Sequence, residues 1–104
     1  MKRRPTKLQR AMERMDACLE AREWVGRRTL AQCWKAIKAG KGYPGWAAWW
    51  MSQTDYEAYM MARANTFAAG GVVHVTFRYS CEEAKILIAH LPKKPPRPVW
   101  WKDI

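Results

Sequence analysis

Cys18, Cys33, Cys81, His74 and His90 are the only cysteines and histidines in the chain, and so its only soft metal ligands. A structural zinc site draws such ligands in close pairs, CxxC or HxxxH, because four of them must converge on one ion. No such pair occurs here, and His74, Cys81 and His90 read as packed or solvated side chains. A metal-dependent nuclease gathers carboxylates on its ion. Asp55, Glu57, Glu82, Glu83 and Asp103 are each accounted for as helix-start or terminal charges. Gly70-Gly71 precedes a strand pattern instead of opening a helix after one, so it is no phosphate-binding loop. Pro92, Pro95 and Arg97 match a PxxPx+ polyproline ligand, a pattern too short to carry an argument. The expectation is a protein without metal, cofactor or catalytic constellation, and so not an enzyme.

Charge is the stronger signal. The chain has 104 residues, 19 Lys and Arg against 9 Asp and Glu, and a net charge of +10. Residues 1–41 hold 12 basic and 4 acidic residues, net +8; residues 42–69 are net −1; residues 70–104 are net +3. Solubility alone does not require cations to be segregated in this way, although a solvated face accounts for any one of them. A concentrated positive field attracts polyanions, and each phosphate contact releases counterions. The expected phosphate contacts are Arg3, Lys7, Arg10 and Arg14 on a first helix, Arg27 and Arg28 after it, and Lys93, Lys94 and Arg97 on a C-terminal segment. Lys2, Arg4, Lys35, Lys38 and Lys41 extend the same field.

Seven tryptophans are far more than a chain of this length needs. Core packing accounts for Trp24, Trp34 and one or two of Trp46, Trp49 and Trp50. Trp46 and Trp50 are one helical turn apart with Trp49 to the side, so the three do not share a face. On a strand, Trp100 and Trp101 would point to opposite faces. Trp49, Trp50, Trp100 and Trp101 are therefore expected as partner anchors or as platforms for base stacking, worth about 1–3 kcal/mol per base.

The elements that must position these residues follow from periodicity. Leu8, Ala11, Met12, Met15, Cys18 and Leu19 predict one helix from Pro5 to Val25, ended by Gly26. Thr29 caps a second, Leu30 to Ala39, stopped by Gly40. A Gly-rich loop leads to Pro44, which opens a third helix through Met51. Ser52 or Thr54 caps a fourth, with Tyr56, Tyr59, Met60 and Phe67 as its buried stripe. VVHVTFRY, residues 72–79, alternates with period two and predicts a strand. Ser80 and Glu83 form a capping box for a helix over 81–91. The Pro-rich segment that follows should be extended, ending in a short strand over 98–102 that pairs with the first.

The expected fold class is thus mostly helical α+β, with a single small domain over 1–91 and a C-terminal tail over 92–104. REWVGRRTLAQCWKA, residues 22–36, has the look of entry to a helix-turn-helix, but glycines and Pro44 interrupt the position of a recognition helix. No run reaches the roughly 18 apolar residues of a membrane span. The charged N-terminus lacks an apolar segment behind it, and the odd cysteine count suggests reduced thiols, so a cytoplasmic setting is expected.

The leading functional expectation is a small nucleic-acid-binding protein, of DNA or RNA, with limited sequence specificity. The alternative is an adaptor or inhibitor of the phage or mobile-element type, such as an anti-defence protein, docking through its basic and Trp-rich surfaces on a larger protein or nucleoprotein complex, with an acidic protein surface as one such partner. Homodimerisation through the strand at 72–79 is a third expectation.

Overall fold

In the computed structural model, residues 4–70 and 81–104 are described, without the side chains of 81–84. They form six α-helices: α1 (Lys7–Arg14), α2 (Leu19–Val25), α3 (Leu30–Lys38), α4 (Pro44–Thr54), α5 (Tyr56–Ala68) and α6 (Cys81–Ala89). A 3-10 turn, Trp101–Asp103, closes the chain. No strand is present among the described residues, which overturns the α+β expectation in favour of a helical fold. The strand expected at 72–79 and the capping box of Ser80 and Glu83, which needs both side chains, lie outside what is described.

The helix expected from Pro5 to Val25 is two helices. α1 ends in a Schellman closure, in which Ala17 N–H donates to Met12 O at 2.9 Å and Asp16 N–H to Glu13 O at 3.1 Å. Asp16 sits at φ +55°, the left-handed region that aspartate tolerates better than most residues. The break lets Ala17 join Ala11, Met12 and Ala21 in the core, which a straight helix would carry past it. Asp16→Gly should therefore raise stability by about 0.5–1 kcal/mol, and Asp16→Val lower it by about 1–2 kcal/mol. Thermal unfolding of the two variants checks the pair of opposite signs.

Later boundaries follow local chemistry. The hydroxyl of Thr29 accepts from Gln32 N–H at 3.1 Å, and the Gln32 side chain accepts from Thr29 N–H at 2.9 Å, a reciprocal cap for α3. Pro44 occupies the first turn of α4, where its missing N–H costs nothing. The cap of α5 is Asp55, whose Oδ1 accepts from Ala58 N–H at 3.1 Å. Ser52 and Thr54, the caps expected from sequence, donate instead to Trp49 O at 2.6 Å and Trp50 O at 2.7 Å inside α4.

Helix α4 is the axis of the packing. It contacts both α3 and α5, and α6 lies against all three. A helix surrounded in this way has apolar residues on every side, so Ala47, Ala48, Trp50 and Met51 are all buried while Trp46 and Trp49 are half-buried. The three tryptophans need no partner to cover their different directions. α5 turns its small side inward: Ala62 and Thr66 are buried, and the Thr66 hydroxyl donates to Ala62 O at 2.6 Å. The stripe expected to be buried is mostly outside, with Tyr56 63% and Phe67 73% exposed.

A wholly apolar cavity of about 50 Å³ remains among α1 to α4, bordered by Trp24, Trp34, Trp46, Trp49 and Trp50. Cys33 faces it, and burial pushes its thiol from the ordinary value of 9.0 to about 11, against an opposing pull from the Arg28 charge. Because the folded-state value is raised, the protonated thiol's contribution to stability is complete below pH 9. It is lost as pH rises toward 11. Cys33→Ala should flatten the decline in stability between those pH values. In native protein near neutral pH, a thiol reagent should modify exposed Cys18 and spare Cys33 until the chain unfolds.

Candidate nucleic-acid interface

Helix α1 carries the first group of cations. A capping box fixes its start: Gln9 N–H donates to the Thr6 hydroxyl at 3.1 Å, and Thr6 N–H to Gln9 Oε1 at 2.7 Å. The same Gln9 donates through Nε2 to Gly26 O at 2.6 Å, which pins α1 beside the end of α2. Leu8, Ala11 and Met12 are buried, so the helical repeat turns Arg10 and Arg14 to solvent and leaves Lys7 half-buried at the edge. Arg27 is tied to the same region, donating from its guanidinium to Arg4 O at 3.1 Å. Arg28 folds back on α2, over the Trp24 ring at 4.9 Å, and donates to Trp24 O.

The C-terminal segment is strapped to the helices. Trp34, 3% exposed, donates its indole N–H to Pro92 O at 2.8 Å; Trp50, 5% exposed, donates to Pro96 O at 2.7 Å. Pro98 is buried. The short strand expected over 98–102 is a turn, with Trp101 N–H donating to Pro98 O and Asp103 N–H to Trp100 O, both at 2.9 Å. Backbone groups that a strand would send to a neighbour are thus satisfied locally. The turn also lets two adjacent tryptophans pack on the bundle, which the alternation of a strand forbids.

Those two rings meet the basic helix. Arg14 lies over Trp100 at 4.3 Å, Lys7 over Trp101 at 5.2 Å, and Arg97 over the same Trp101 at 5.7 Å. Trp101 also meets the buried Trp50 edge-on, with centroids 6.2 Å apart. The two ends of the chain, where the charge is concentrated, therefore share one surface. A guanidinium held over an indole still carries N–H donors around the edge of its own plane, and these are the groups that grip phosphate or carboxylate oxygens.

The structure brings Lys7, Arg14 and Arg97 together and sets exposed Arg10 on the same stripe of α1. Lys93 and Lys94 are exposed between the two strapped prolines. Arg3 lies outside the described residues. Of the four tryptophans read as partner anchors, Trp50 is in the core and Trp49 is half-buried beside the cavity. Trp100 and Trp101 are half-buried under cations. Sequence reasoning missed Gln9 as the residue that positions α1, although T-x-x-Q is the signature of the cap that holds it. It also passed over Lys102, exposed in the closing turn next to Trp101.

Among the described residues, no group of three or more His, Cys, Asp or Glu side chains could hold a metal ion. No helix among them is long and apolar enough to cross a membrane. Compared with protein-family models, with curated proteins and with solved structures, the chain gives no match.

Proposed function

We propose that this protein binds nucleic acid through the phosphate backbone, without catalysis and with limited sequence specificity. The observation that supports this reading most directly is the meeting of Lys7, Arg14 and Arg97 on Trp100 and Trp101, which joins the two basic ends of the chain into one cationic surface beside Arg10. Rings that already pack under cations and against the core are poor platforms for stacked bases. The interaction should therefore be carried by charge, not by base reading.

Fluorescence anisotropy on labelled double-stranded DNA, single-stranded DNA and RNA, titrated with salt, tests this. Submicromolar binding near physiological salt is expected, with a log–log slope of about −3 or steeper, reflecting several released counterions. Little dependence on base sequence should accompany it. Binding that vanishes by physiological salt for all three forms overturns the proposal.

A further inference from the structure

We propose that the outward stripe of α5 is a docking face for a second copy of this chain, paired antiparallel about a two-fold axis at Met60. Tyr56, Met60 and Phe67 fall on one side of the helix, 63%, 40% and 73% exposed. Such a run of large apolar groups on a small protein marks an interaction surface.

Charge identifies the occupant. Two copies of a +10 chain repel one another over most of their surface, since residues 1–41 carry +8 and residues 70–104 carry +3. Residues 42–69, at −1, form a segment on which two copies approach without that penalty, and the exposed stripe lies within it. With Arg63 as its single cation, the same segment also lacks the concentration of positive charge that a nucleic acid would require.

Around Met60 the stripe is self-complementary as well. In a two-fold antiparallel pair centred on Met60, residues equally far before and after it come level. Glu57 and Arg63, both exposed, stand three residues to either side. Each Glu57 is therefore level with Arg63 of the other copy, and Arg63 is the only basic residue between 42 and 69. Tyr56 and Ala64, four residues to either side, set a large ring level with a small exposed side chain. A parallel pairing would oppose Glu57 to Glu57 and Arg63 to Arg63, so the charges select the antiparallel one.

Sedimentation equilibrium on the full chain, without nucleic acid, tests the face. A reversible monomer–dimer equilibrium is expected, and raising the salt should not weaken it, because screening relieves repulsion between the two basic bodies. Glu57→Arg or Arg63→Glu alone should raise the dimer dissociation constant about tenfold. The double reversal, Glu57→Arg with Arg63→Glu, should restore it, and Met60→Glu should abolish the dimer. All three sites are solvent-facing, so unchanged circular dichroism and Tm serve as the folding control. A strict monomer at the highest attainable concentration overturns the proposal, as does a dimer indifferent to Met60→Glu or a double reversal that fails to rescue. Nucleic acid is absent from the measurement, so its outcome is independent of the binding reading above.

Discussion

Replacing Lys7, Arg10 and Arg14 together with Glu should reduce nucleic-acid affinity by about a hundredfold or more and make the log–log salt slope shallower by up to about 3. Three reversals of two charges each take the chain from +10 to +4, and all three fall on the α1 stripe. The variant has a second, smaller effect. Lys7 and Arg14 each hold a tail tryptophan, and a cation–indole contact at a partly exposed site is worth about 0.5–1 kcal/mol. Losing two lowers Tm by roughly 4–16 °C in a domain of this size. Arg10→Glu separates the two effects, because among the described residues no indole covers Arg10. Alone it should weaken binding and reduce the slope by about 0.9 with Tm unchanged. A folded triple variant that binds as tightly as the parent would place the binding surface elsewhere.

Removing residues 92–104 should lower stability by about 5 kcal/mol or more, enough to unfold a domain whose total is about 5–15 kcal/mol. The segment supplies the acceptors for two indole N–H groups that are nearly buried, on Trp34 and Trp50. Exchanging each of these hydrogen bonds for one to water costs about 0.5–1.5 kcal/mol. The deletion also uncovers core surface now shielded by Pro98, Trp100, Trp101 and Ile104, at roughly 25 cal/mol per Å² of apolar area. Trp50→Phe is the finer probe. It keeps an aromatic ring but removes the donor to Pro96 O, so it should cost about 1–2 kcal/mol while the helices persist. Circular dichroism and thermal unfolding read both variants. A deleted chain with the parent's Tm would show that the C-terminal segment contributes nothing to the fold. For a protein that used this tail only as a partner anchor, that result would be the expected one.

These two experiments concern features that are legible in the sequence to different degrees. The α1 cations are spaced for a helix whose other side is Leu8, Ala11 and Met12, so the exposure of Arg10 and Arg14 follows from the 3.6-residue repeat alone. Thr29 with Gln32 and Pro44 also mark their helix starts without help from distant residues. The tail is different. Its proline-rich stretch offers carbonyls that helices and strands are not using, and whether indoles 46 and 58 residues away reach them depends on how the helices are stacked. Trp100 and Trp101 look like unpaired anchors until α1 is placed beside them.

The sequence by itself determined the segregation of charge, the apolar side of α1, the caps at Thr29 and Pro44, and the absence of paired metal-ligand spacing. Each is a property of composition or of residues within a turn or two of one another. Only the tertiary structure decided the break at Asp16, the direction of α5 and the course of the tail. At Asp16 a local penalty for positive φ is outweighed by delivering Ala17 to the core. In α5 the larger apolar stripe faces outward because the small Ala62 and Thr66 side lies inward, in a helix that packs against the bulky α4. At the C-terminus, strand propensity yields to contacts with Lys7, Arg14 and Trp50. Local preferences amount to about 1 kcal/mol per residue, whereas burying one large side chain is worth about 1.5–3 kcal/mol. Where the two disagree, packing prevails.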